Sequence, residues 1–292
     1  MTAEGLNDRV ARVAGDRQSG ASELAAEALS ILSAAISAGV ALAPLGRALM
    51  HAQPSMAPVW NAVRAALGAQ SPEVLSRYVL QAERAPLSLV RHATTLLADP
   101  DQRRLSFVTI SFSRTVWETL RALATAHDLH VACSDGLPAS EGRRLAATLA
   151  AAGIAVTHYT DAALGDGLTG ADALLVGADA ISPDWFLNKS GTRMLVASAA
   201  QQGVPVYALA TRDKFLSQSL ANRLQVREEA GSEIWPDPPA GVTVRNPYFE
   251  KTPIDLISAI ISDAGVLGAG MVADACPAAG DDVLRDLLGS PA

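Results

Sequence analysis

The buried run "ALLVGA" closes on Asp179, and nine residues later Asn188 and Lys189 precede Ser190-Gly191-Thr192 and a helix-forming segment. A carboxyl at a strand end can give or take protons. A lysine beside a helix N-terminus suits a phosphate, because free N–H groups and the positive end of the helix dipole face the same point. Similar residues close the other apolar runs: Ser111, Ser113 and Arg114 after the first, Cys133 and Ser134-Asp135-Gly136 after the second, Thr160-Asp161 after the third, and Thr211, Arg212, Asp213 and Lys214 after the fifth. Singly, each has an ordinary reading. Cys133 is a small core residue, Asp179 and Asp161 are caps, Arg114 is half of a surface ion pair, Asn188 fills a turn and Lys189 is a solvated charge. Gathered on one rim they make a site, since ligands of open α/β sheets bind beyond the carboxyl ends of the strands. The pattern G-x-x-x-x-G-K-[ST] is absent and no G-x-G-x-x-G follows directly on a strand, so neither a P-loop nor a dinucleotide turn accounts for these residues.

The elements that must position them are legible as a change of period. Up to about residue 100 the chain reads as helices. "GASELAAEALSILSAAISAG" places Leu24, Ala28, Ile31, Leu32, Ala35 and Ile36 on one face and stops at Gly39. Ser71 as N-cap and Pro72 at the first helical position open another helix, which Pro86 should kink or divide. From residue 105 short apolar runs alternate with helical stretches. The runs 105–111, 129–133, 154–159, 173–178 and 204–210 read as strands, and the helices between them end at Gly153 and Gly203. This alternation predicts βα units and a parallel sheet. A sixth strand is expected at 242–245, a helix over "TPIDLISAIISDAG" capped by Thr252, and a loosely attached tail from about 268. The predicted fold class is α/β: a helical N-terminal domain over 1–104, then a Rossmann-like domain over 105–292 with a mainly parallel sheet that carries the site.

A chain of 292 residues, 49% hydrophobic and 18% charged, can bury a full core. Its net charge of -7, without a lysine or arginine cluster, speaks against nucleic acid as a partner. No apolar run is long enough to cross a bilayer, which speaks against a membrane. "MTAEGLNDRV" carries no apolar signal segment. The two cysteines, Cys133 and Cys276, have no metal spacing, and a reduced, cytoplasmic protein is the expectation.

"GADA" followed by "NKSGT" and then "GVPVYALATRDKF" resembles a superfamily with two branches: the regulatory subunits of translation initiation factor 2B, and the aldose–ketose isomerases of methylthioribose 1-phosphate and ribose 1,5-bisphosphate. "SGASELAAEAL", "SFSRTV", "AGIAVTHYTDAAL" and "NPYFEKTPIDLISAIISDAGVL" agree, so the resemblance covers about 15–268. It implies a homodimer or higher homo-oligomer that binds a small phosphorylated sugar or a nucleotide, without a metal or other cofactor. A cysteine after the second strand and an aspartate in Gly-Ala-Asp are similar to the isomerase branch. That likeness implies Cys133 and Asp179 as catalytic residues, with Ser19, Gly20, Ala21, Arg114, Glu141, Asp161, Asn188, Lys189 and Lys214 as substrate-binding residues.

The chain departs from the isomerase pattern at two phosphate-binding arginines. "CSDGLPASEG" stands where the isomerases have Cys-Glu-Thr-Arg-Pro, and Ser19-Gly20-Ala21 stands for Arg-Gly-Ala. Arg17, Arg114 and Arg143 are the residues that could compensate. A sugar phosphorylated at its anomeric carbon needs an acid to protonate the ring oxygen and a base to move a proton between two carbons. A buried carboxyl of raised pKa can be that acid, and a thiolate near a lysine that base. The rival reading is a non-catalytic regulatory protein that binds a nucleotide or sugar phosphate.

Overall fold

The computed structural model describes residues 2–16, 19–69, 72–277 and 281–288. The N-terminal part is helical as expected: α1 (Ala3–Gly15), α2 (Ala21–Ser37), α3 (Leu42–Ala52), α4 (Ala57–Gly68) and α5 (Pro72–Leu97). The stripe of α2 buries Leu24, Ala28, Ile31, Leu32 and Ala35, while Ile36 is only partly covered. Ser71, the expected cap of α5, lies outside the described residues. Contrary to a division at Pro86, α5 runs on to Leu97. A proline inside a helix costs about 3 kcal/mol. Here one end is held by Leu75 in the helical core and the other by Leu89 and Ala93 against the sheet, and these anchors keep α5 in one piece.

The second half alternates as the sequence predicts, with β1 (Arg104–Val108), α6 (Arg114–Leu123), β2 (Asp128–Ser134), α7 (Glu141–Ala151), β3 (Ala155–Tyr159) and β4 (Ala173–Gly177). After β4 come β5 (Ala180–Ile181), β6 (Trp185–Lys189), α8 (Thr192–Gln202), β7 (Val206–Leu209), α9 (Gln218–Ala221), β8 (Phe249–Pro253), β9 (Ala259–Ser262) and β10 (Gly265–Leu267). The main sheet has the order β10-β9-β7-β4-β1-β2-β3. Its neighbours are parallel except at the β10 edge. Helices α6 and α7 with the end of α5 cover one face, and α8 with the 161–168 turn covers the other. A smaller antiparallel sheet, β5-β6-β8, stands beyond the end of β4 and was not foreseen.

Three expectations are corrected. Residues 242–245 form no strand: Val242 is exposed and no strand pairs with the segment, whose neighbour Asn246 is tied to Ala230 instead. The stretch from Thr252 is not a helix. It is the end of β8, a short turn, and then β9, which is buried throughout and parallel to β7. A strand buried on both faces is a continuous apolar run, which periodicity cannot tell from a buried helix. Nor is the described tail loose. Val272 in α10 (Val272–Ala275) and Leu284 in α11 (Asp281–Leu288) are fully buried, and Asp281 accepts from the hydroxyls of Ser217 and Ser219. Leu284 and Leu287 complete the helical core together with Leu216, Leu220 and Leu224.

Candidate functional site

Asp179 is fixed by its backbone before its side chain does anything. Its N–H donates to the Leu187 carbonyl at 2.8 Å, and its own carbonyl accepts from Ala57, the first residue of α4, at 3.1 Å. Both sheets and the helical domain therefore set its position. Burial pushes its carboxyl up to about 6; Glu141 pushes the same way, while Lys214 and Lys189 pull against it.

Those three residues arrive from separate elements. Glu141 opens α7, and it reaches inward because Gly142 lets the helix start tuck under the end of β2. A Cβ on Gly142 would stand 1.7 Å from the Ser134 carbonyl oxygen. The Oε1 atom of Glu141 lies 2.8 Å from Lys189 Nζ and accepts from the Ser111 hydroxyl at 2.9 Å. Its Oε2 atom is buried without a hydrogen-bond partner among the described residues. Ser111 has φ of +67°, a region that non-glycine residues rarely enter and that turns its hydroxyl off the end of β1 into the site. Lys189 is 2% exposed and lies 4.8 Å from the centre of the Tyr248 ring, whose hydroxyl donates to Glu233. Lys214 is buried and has no hydrogen-bond or ion-pair partner within 4.0 Å among the described residues. Asn188 donates to the Thr192 hydroxyl at 3.0 Å, which in turn donates to the Lys189 carbonyl at 2.6 Å, so the Asn-Lys-Ser-Gly-Thr turn is closed on itself at the start of α8. The ensemble is two carboxyls, two buried lysines and one hydroxyl at the carboxyl edge of the sheet. Such groups can move protons and balance the charge of an anionic ligand.

Asp179, Glu141, Asn188, Lys189 and Lys214 thus come together, while Asp161, Arg114, Ser19 and Gly20 make contacts of their own. Cys133 lies in the apolar layer with Phe107, Val131 and Leu149, fully buried. Its sulfur is 3.6 Å from His158 Nδ1, and burial pushes the thiol up to about 11. The charged neighbours of Asp179 are Lys214, Glu141 and Lys189. The alternation of β2 turns Cys133 to the α6–α7 face of the sheet, where burial disfavours its thiolate. Asp161 spends both oxygens, at 2.8 Å each, on the N–H groups of Gly136 and Leu137, and so shapes the loop after Cys133. Arg114 is a largely exposed partner of Glu118 at 2.8 Å. Ser19 donates its N–H to Asp16, and Gly20 donates its N–H to Glu23 at 3.0 Å, so the start of α2 is capped from within, with Ala21 buried beside it. Arg143 pairs with Asp135, and Arg17 lies outside the described residues. Sequence reasoning missed Tyr248 over Lys189. Its only signal was a place in "NPYFEKTP", fifty-odd residues away and joined to the site through the β6–β8 pairing.

Fold and site together define an α/β protein, helical at its N-terminus, that gathers charged groups at the carboxyl edge of a parallel sheet. Residues 17–269 match the Initiation factor 2 subunit family, and the chain belongs to it. Ribose 1,5-bisphosphate isomerase of Methanocaldococcus jannaschii is 34% identical over 144 residues, which are 48% of this chain and 47% of that protein, so the chain matches about half the length of that relative. A translation initiation factor eIF-2B subunit 2-like protein of Pyrococcus furiosus is 29% identical over 229 residues, 76% of this chain and 79% of that one. The structure of translation initiation factor eIF-2B from Pyrococcus horikoshii OT3 superposes with a TM-score of 0.76 over 91% of this chain and 98% of that one, at 24% identity, a likeness of fold.

Proposed function

We propose that this protein isomerises a phosphorylated pentose-type sugar between its aldose and ketose forms, with Asp179 as the proton donor. The observation that carries the reading is a carboxyl held at about 6 by burial, beside a second carboxyl and two buried lysines. An acid of that strength is still partly protonated near neutrality, which general acid catalysis requires. Asp179 in its acid form protonates the ring oxygen as the ring opens. The Glu141 carboxylate, whose Oε2 has no other partner among the described residues, takes the proton from one carbon and returns it to the next, and the Asp179 carboxylate recovers its proton from the hydroxyl that becomes the ketone. Lys214 and Lys189 balance the phosphate, and Asn188 and the Ser111 hydroxyl contact the sugar. Cys133 has no step in this scheme. The protein works in the cytoplasm as a homodimer or larger homo-oligomer, which light scattering of the purified chain tests.

A second reading is favoured by one feature: Lys189 is already engaged by Glu141 and covered by Tyr248, as in a site that holds a ligand without turning it over. On that reading the chain is a regulatory protein that binds a sugar phosphate or nucleotide. Incubation with a panel of phosphorylated riboses separates the two. Isomerisation predicts a ketose product that Asp179→Asn and Glu141→Gln each reduce by about 10²–10⁴-fold. Saturable binding without any ketose across the panel sinks the catalytic reading in favour of the regulatory one.

A further inference from the structure

A cavity of about 520 Å³ opens where α4 and α5 meet the 211–215 turn, beside the ends of β7 and β9. It lies within the size range of small-molecule sites. Asp179, Glu141, Lys189 and Lys214 do not line it. Three arginines do: Arg64, Arg84 and Arg212. Arg84 and Arg212 are exposed, and their side chains have no hydrogen-bond or ion-pair partner among the described residues. Arg64 Nη1 is buried without a hydrogen bond, and its nearest carboxylate oxygen, Asp281 Oδ1, is 3.9 Å away.

The cavity also wants a donor. Asn61 is 1% exposed and lines it, with its Nδ2 donating to the carbonyls of Asp213 at 2.6 Å and Phe215 at 3.0 Å. Those two bonds fix which side-chain atom is oxygen, and that Oδ1 is buried without a partner. Buried polar atoms are almost always satisfied, so an unpaired acceptor in a cavity also lined by three arginines points to one molecule bearing both an anion and a hydroxyl or amine. Two carboxylates in the lining do not answer the arginines. Asp263 accepts from the Arg212 backbone N–H at 2.7 Å, and Asp213 accepts from the Thr211 hydroxyl at 2.5 Å. Phe215 supplies an apolar wall for a short carbon skeleton.

We propose that this cavity is a second ligand site, for a small phosphorylated polyol: the phosphate meets Arg64, Arg84 and Arg212, a hydroxyl donates to Asn61 Oδ1, and the carbon chain lies against Phe215. The site is separate from the chemistry at Asp179 and stands whether or not that chemistry occurs.

The test is calorimetric titration of the whole chain with sn-glycerol 3-phosphate at low salt, for wild type and for the double variant Arg84→Ala/Arg212→Ala. Both side chains are exposed and unpaired, so the variant should melt at the wild-type temperature. The expected result is saturable binding in the wild type, with a component weakened at least about ten-fold in the variant, the loss that follows from removing a charge-assisted phosphate contact. Titrations that coincide for the two proteins overturn the proposal, as does a wild-type chain that binds no glycerol phosphate. A failure of ketose formation leaves this measurement untouched.

Discussion

Replacing Asp179 by Asn tests the electrostatics of the site without any substrate. The carboxyl has an ordinary value of 3.8 and a folded value of about 6, with burial as the first cause. A raised folded pKa in an acid means that the folded state holds the proton more tightly than the unfolded one. Ionised Asp179 therefore destabilises the fold. The penalty is absent well below 3.8, grows as pH rises between 3.8 and 6, and is constant above. With those two values it is about 1.6 kcal/mol at pH 5 and about 3 kcal/mol at pH 8. Asparagine has nearly the shape of the protonated acid and never ionises, so it escapes the penalty. Its amide adds whatever misfit it has equally at both pH values, and the difference between them is the clean quantity. Urea unfolding of both proteins at pH 5 and pH 8 should show the variant gaining about 1.4 kcal/mol on the wild type between the two conditions. Equal pH dependence in the two proteins, or a gap that narrows toward pH 8, would refute the account of Asp179 as a carboxyl held up by burial.

Further outcomes follow from the same geometry. Turnover, where ketose formation is followed, should fall about ten-fold per pH unit once pH rises past about 6, because the acid form of Asp179 is the donor; a rate that climbs with pH through 7 contradicts that role. Cys133→Ala should cost about 1 kcal/mol in urea unfolding and leave turnover within a few-fold, since the thiol is a core group. A folded variant without turnover returns the sulfur to the chemistry. Gly142→Ala should destabilise by about 3 kcal/mol or more, because the added Cβ would stand 1.7 Å from a backbone oxygen that cannot swing aside; a thermal melt unchanged from wild type disproves the packing of α7 on β2. Lys189→Met should weaken sugar-phosphate binding while the fold survives, and equal affinity by calorimetry would remove Lys189 from the site.

The sequence by itself determined the alternation of elements and the rim on which chemistry could collect. Apolar runs of strand length separated by stretches ending at Gly153 and Gly203 can be read locally, because period and stop signals are local properties; both glycines do have positive φ. The same locality explains Asp179, Asn188 and Lys189, which one strand, one short hairpin and one helix start carry together. What the tertiary structure decided depends on contacts distant in the chain. Whether "SAIIS" becomes helix or strand turned on an open edge at β7 fifty residues earlier. Whether Pro86 broke α5 turned on two separate cores holding its ends. The face on which Cys133 lies was set by the register of β2 against β3, where one residue of slip would exchange core for rim. Glu141 reached Lys189 only because Gly142 allows a close approach that no spacing rule encodes. Side-chain direction and through-space pairing are sums over neighbours from the whole chain, and for that reason they became legible only when it was folded.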